Sequence, residues 1–117
     1  MTGSAIDAEA FARLLDITGG DPDFLAELVD TYLEDGAAQV EALQAAAAGG
    51  DVEGLVRPAH TLKSSSASVG AMPLAELCRT LETDARAGSV PDRAARVAAV
   101  SSAFEAASAE LRASHSG

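Results

Sequence analysis

Glycine and proline punctuation cuts a chain of strong helix formers into short lengths, and this limits the possible folds more than any other feature. Gly19-Gly20, Gly49-Gly50, Gly70 and Gly88 each follow an apolar-periodic stretch, where a left-handed residue ends a helix. Pro22, Pro73 and Pro91 stand where a helix begins, because the first turn needs no N–H from them. Between these breaks Ala and Leu dominate, and aromatics make up only 3% of the chain. Ala and Leu lose little rotamer freedom in a helix, whereas strands favour β-branched and aromatic residues. An all-α chain follows.

Five helical segments result. The first runs from about Asp7 to Asp16, with Phe11, Leu14 and Leu15 on one stripe. Asp21-Pro22 caps and opens the second, which continues to about Ala48. Its buried face reads Leu25, Leu28, Val29, Tyr32, Gly36, Val40, Leu43 and Ala47, at the three-and-four spacing of an amphipathic helix. Asp51 can cap a third, with Val52, Leu55, Val56, Ala59, Leu62, Ser66 and Val69 inward. Pro58 then falls in its second turn and bends it, unless the helix starts closer to Pro58. Pro73 opens the fourth, with Leu74, Leu77, Cys78, Leu81 and Ala85 inward. Pro91 opens the fifth, with Val97, Val100, Phe104, Ala107 and Leu111 inward, and 114–117 reads as a frayed tail.

Loops of a few residues make consecutive helices antiparallel neighbours. The expected architecture is an antiparallel up-and-down four-helix bundle, with the short N-terminal helix as a lid. At 117 residues the chain suits one domain over 1–117, structured from about 5 to 113. The starting Met1 and the short polar tail favour a free-standing protein over a piece of a larger one.

Eighteen acidic against eight basic residues give a net charge of −10, which repels polyanions and argues against nucleic acid as a partner. No apolar run approaches the ~20 residues of a bilayer span, and Met1-Thr2-Gly3-Ser4 lacks the features of a signal peptide. No membrane association and a cytoplasmic location are expected. The single cysteine, Cys78, has no internal disulfide partner and reads as a small core residue. There is no phosphate-cradling glycine loop and no run with metal-ligand spacing, so neither a cofactor nor a metal is expected on this chain.

Chemistry concentrates on the third helix. At about 100° per residue His60 falls at the edge of the apolar stripe, with its ring toward solvent. Arg57, Lys63 and Ser64, three and four residues away, share its surface, with Val56 on the apolar side. Such cations can offset phosphoryl charge and hydrogen-bond its oxygens; an ordinary surface histidine with solvating neighbours is the simpler alternative. Glu82 is the other anomaly, a carboxylate directly after Leu81 on the inward stripe of the fourth helix, costly to bury without a partner. If the third and fourth helices are neighbours, Glu82 can accept the proton of one His60 nitrogen and leave the other free to attack. The alternatives are a snorkelling carboxylate or a pair with Lys63 or Arg86.

The run Ala59-His60-Thr61-Leu62-Lys63-Ser64-Ser65-Ser66-Ala67-Ser68-Val69-Gly70-Ala71 resembles the signature of histidine phosphotransfer domains, A-H-x-L-K-G-S/A-S/A-x-x-aliphatic-G-A. All but one of the specified positions match. The resemblance extends to Thr18-Gly19-Gly20-Asp21-Pro22, to Ala48-Gly49-Gly50-Asp51, and to Leu74-Ala75-Glu76-Leu77-Cys78 followed by Leu81-Glu82.

The resemblance implies a four-helix bundle whose exposed histidine takes a phosphoryl group from a receiver-domain aspartate, or gives one to it. The phosphorylated residue carries over to His60 and the phosphate-side lysine to Lys63. In chemotaxis-kinase relatives a glutamate at the spacing of Glu82 interacts with the histidine. The implied partners are response-regulator receivers or a hybrid histidine kinase, with Mg²⁺ on the receiver. Val56, Ser64 and Ala67 fall on the docking side. The chain is then a phosphoryl carrier without catalytic turnover of its own, a phosphorelay intermediate. Ser64 departs from the usual glycine, and it favours the main alternative, a helical scaffold or adaptor that has lost phosphotransfer. A hydrolase using His60 with Ser64, Ser65 or Ser66 is weaker, since no oxyanion site is evident and Ser66 points inward.

Overall fold

The structure is a computed structural model that describes residues 5–115. These form five α-helices: α1 (Ala8–Ile17), α2 (Pro22–Ala48), α3 (Val56–Ser68), α4 (Met72–Arg86) and α5 (Arg93–His115), with a 3-10 turn at Glu53–Leu55. Side-chain carboxylates start the first two. Asp7 accepts the N–H of Ala10 at 3.1 Å, and Asp21 accepts that of Asp23 at 3.0 Å with Pro22 at the head of α2. Each satisfies a donor that the first turn leaves unpaired. No helix among the described residues is long and apolar enough to cross a membrane.

The long helix α2 packs against α3 and α5, and α4 packs against the same two, so the four enclose one core. Val29, Leu43, Leu55, Leu62, Leu74, Leu81, Val100 and Leu111 are completely or almost completely buried there, and truncating one such leucine to alanine costs ~2–5 kcal/mol. Two close fits set the spacing of α2. Gly36 lies under the Phe104 ring of α5, and a Cβ there would come within 2.8 Å of its Cζ. One turn earlier, the Tyr32 hydroxyl meets Ser66 Oγ of α3 at 2.8 Å inside the core, and this contact satisfies both buried hydroxyls. α1 lies outside this packing. It is tied down by the Asp7 N–H to Gly70 C=O bond at 2.7 Å and by the Glu110 carboxylate, which accepts from the N–H groups of Ala5 and Ile6. Gly70 has φ +84°, and a Cβ there would meet the Asp7 carbonyl oxygen at 3.0 Å.

Several helix limits differ from the sequence expectation, each for a local reason. The third helix starts at Val56: Asp51 accepts the Gly54 N–H at 2.9 Å and begins the 3-10 turn instead. Pro58 therefore stands in the first turn of α3, where a backbone N–H has no partner within the helix. The fifth helix starts at Arg93, two residues after Pro91, because Asp92 takes φ +54°, a left-handed conformation that aspartate tolerates. On α1 the buried residue is Ala10, with Phe11 and Leu14 half-buried and Leu15 exposed. On α4, Leu77 is exposed and Ala75 takes an inward place, because the helix turns its core face slightly from the expected stripe. Leu28 of α2 is half-buried. α5 continues through His115 rather than fraying at Ser114, whereas the start at 1–4 and the tail end at 116–117 lie outside the described residues.

Candidate functional site

The long pairing of α3 with α4 determines which side chains meet. His60 and Lys63 are one turn apart on α3, and α4 presents Glu82 to both. The imidazole Nδ1 lies 3.0 Å from Glu82 Oε2, and Lys63 Nζ lies 2.7 Å from Glu82 Oε1. Arg86, one turn further along α4, reaches back to the same Oε2 with Nε at 2.9 Å and Nη2 at 2.7 Å. One carboxylate thus binds three cationic or N–H-bearing side chains. Glu82 is itself buried, with its side chain 8% exposed, while the His60 side chain is 55% exposed.

The electrostatics follow from those contacts. The Lys63 ammonium, followed by the Arg86 guanidinium and the His60 ring, holds the Glu82 carboxyl down to about 2, against the desolvation that works to raise it. Glu82 is therefore an anion at neutral pH, able to accept the Nδ1–H. Accepting it fixes the Nε2 lone pair as the free one. Among the described residues Nε2 has no protein partner.

The other expected site residues divide. Arg57 is exposed and forms no ion pair or hydrogen bond among the described residues; it borders a shallow groove with Val56 and Arg86. Val56 is half-buried, and Ser64 and Ala67 are exposed. Lys63, Ser64, Ala67 and Arg79 line a second open groove between α3 and α4. The Ser64 hydroxyl makes no bond to the His60 carbonyl, unlike Ser65 and Ser68, which bond back to Thr61 and Ser64 carbonyls at 3.1 and 3.2 Å. The Ser66 hydroxyl is committed to Tyr32. Burial pushes the Cys78 thiol up to about 12, so it is inert inside the core. No group of three or more His, Cys, Asp or Glu among the described residues could hold a metal ion. The residue absent from the expected site is Arg86. Its signal is the four-residue spacing from Glu82, which the sequence offered only as an alternative to the His60 contact; the two occur together.

Fold and site together define a class, an all-helical domain that displays a carboxylate-backed histidine on a helix face. A family model, the Hpt domain, matches residues 27–113, and the chain belongs to that family. Its structure is similar to the crystal structure of histidine-containing phosphotransfer protein B from Pseudomonas aeruginosa PAO1, with a TM-score of 0.88 and 25% sequence identity over 98% of this chain and 97% of that one. No curated protein matches it.

Proposed function

We propose that this chain is a phosphorelay intermediate, in which His60 accepts a phosphoryl group from the aspartate of one receiver domain and passes it to another. The observation that carries this reading is the Glu82 Oε2 contact with His60 Nδ1 at 3.0 Å beneath a ring that is more than half exposed. Membership of the Hpt domain family supports it. The helix contacts, which close a ring of α2, α3, α4 and α5, support an antiparallel up-and-down four-helix bundle forming one domain.

In the forward step the Nε2 lone pair attacks the phosphorus of an aspartyl phosphate. An N–P bond forms, the P–O bond breaks, and its electron pair leaves with the aspartate carboxylate. No proton need move, since Nδ1–H stays in place. The ring, neutral before attack, carries positive charge afterwards. The attraction of Glu82 for the ring is therefore stronger in the transition state than at rest, which is the condition for accelerating transfer. The same balance runs in reverse when a second receiver takes the group. Lys63 and Arg57 supply positive charge toward the phosphoryl oxygens, and Val56, Ser64 and Ala67 form the docking side. Mg²⁺ belongs to the receiver. The chain turns over nothing by itself and works in the cytoplasm beside a response regulator or a hybrid kinase.

Incubation with phosphorylated receivers tests this. Acid-labile, base-stable label is expected on wild type and absent from His60→Gln. Acid-stable label, or no label with any receiver, sinks the proposal. Ser64 in place of the usual glycine favours a second reading, a scaffold that binds receivers without taking their phosphoryl group, and receiver binding without label would establish it.

A further inference from the structure

Glu82 has three partners, and only two of them are explained by the chemistry at His60. Lys63 occupies Oε1, while His60 Nδ1 and both contacting nitrogens of Arg86 share Oε2. The carboxylate is buried, and a buried carboxylate stripped of cations is strongly disfavoured. Once a phosphoryl dianion sits on Nε2, it competes with Glu82 for the Lys63 ammonium, because Lys63 lies one turn from His60 on the same face of α3. With Lys63 as its sole cation, Glu82 would retain it, and the phosphoryl group would be left without its lysine.

We propose that Arg86 is a positioning residue for phosphoryl transfer: it keeps Glu82 charged and seated on His60 Nδ1 while Lys63 moves from Glu82 to the phosphoryl oxygens. Four features support this role. Arg86 sits on the same helix as Glu82, so its grip does not depend on α3. Its two N–H contacts converge on the oxygen that accepts Nδ1–H, which fixes the direction of that oxygen. Its side chain is 59% exposed, so the remaining guanidinium N–H groups stay in water and the residue need not move. Among the described residues, Glu82 is also the one carboxylate that either Lys63 or Arg86 binds.

The proposal rests on the phosphotransfer reading, and the test separates the two. Phosphoramidate serves as a small donor that needs no partner protein; its P–N bond breaks, ammonia leaves, and the N–P bond to His60 forms. Label is followed by ³¹P NMR and the ring by ¹⁵N NMR. Arg86→Gln is expected to slow acceptance on the order of tenfold, the kinetic equivalent of weakening one hydrogen bond to a charged group. Arg86→Lys restores most of the rate, and Arg86→Gln adds nothing in a Glu82→Gln background. At rest, Arg86→Gln keeps the Nδ1–H tautomer, since Lys63 still holds Glu82; once phosphorylated, its Nδ1–H exchanges faster than in wild type. A wild-type rate in Arg86→Gln, or equal slowing in the Glu82→Gln background, overturns the role of Arg86 alone. Wild type that takes no label on His60 either from phosphoramidate or from any phosphorylated receiver overturns the phosphotransfer reading and the role of Arg86 with it; where only a receiver labels it, the same variants are compared with that receiver as donor.

Discussion

The carboxylate of Glu82 is the residue on which the site turns, because it is an anion held inside the protein boundary by an amine, a guanidinium and an imidazole. Its ionisation couples to stability with a definite sign. The folded carboxyl lies at about 2 against an ordinary 4.5, so its contribution is complete above the ordinary value and is lost as the pH falls toward the folded one. Melting temperatures of wild type and Glu82→Gln, measured by circular dichroism from about pH 5 downward, are expected to differ at the start of that range and to converge between about pH 4.5 and 2. A difference that stays constant across that range would show that Glu82 is not held ionised by its neighbours. His60 behaves oppositely: more than half exposed, it adds little to the core, and His60→Gln is expected to abolish phosphoryl acceptance with almost no change in melting temperature. Unfolding of that variant would make the histidine structural. The anomaly of Glu82 was legible in the sequence, because a carboxylate interrupts an apolar stripe. That all three partners bind together was not, since helix spacing lists neighbours along one helix but does not say how far α3 slides along α4.

At the scale of the element, α3 shows how local chemistry moved a boundary. Hydrophobic periodicity runs unbroken from Val52 to Val69 and so conceals the 3-10 turn; only the Asp51 carboxylate on the Gly54 N–H, together with Pro58, marks the true start. The α5 boundary was hidden in the same way by Asp92, whose positive φ no pattern of apolar residues encodes. Two substitutions test what the helices need. Ser64 is exposed, with its hydroxyl uncommitted to His60 O, and side chains on a helix lean back over the preceding turn. Ser64→Gly is therefore expected to open the approach to the ring and speed transfer, at a stability cost of roughly 0.5–1 kcal/mol. Slower transfer at equal folded fraction would mean that the hydroxyl assists the chemistry. Gly36→Ala works on packing instead: its new methyl overlaps the Phe104 ring, and overpacking of this kind costs about 1–3 kcal/mol. Urea denaturation measures it, and an unchanged midpoint would show that α5 yields freely.

For the whole molecule, the division of labour between α1 and the other four helices is the main question left by the fold. Short loops made the order of the four core helices readable, whereas the N-terminal helix was readable only as a segment, because its few apolar residues do not indicate where it docks. Its attachment consists of buried Ile6 and Ala10, half-buried Phe11 and Leu14, the bond from Asp7 N–H to the Gly70 carbonyl, and the Glu110 carboxylate under Ala5 and Ile6. None of these touches His60, Lys63, Glu82 or Arg86, and the family match itself begins at residue 27. Deleting residues 1–20 leaves Asp21 and Pro22 to start α2, so the cap of the long helix survives. The loss includes the burial of Ile6, worth ~1.5–3 kcal/mol, that of Ala10, parts of Phe11 and Leu14, and the hydrogen bonds from Asp7, Ala5 and Ile6, within a total stability of about 5–15 kcal/mol typical of a domain. The shortened chain is expected to remain a cooperative helical fold with a clearly lower melting temperature, and to accept phosphoryl groups at the full-length rate when compared at equal folded fraction. Thermal melts and labelling from phosphorylated receivers measure the two separately. A shortened chain that folds but transfers slowly would place α1 in the receiver-docking surface, and one that does not fold would place it in the core.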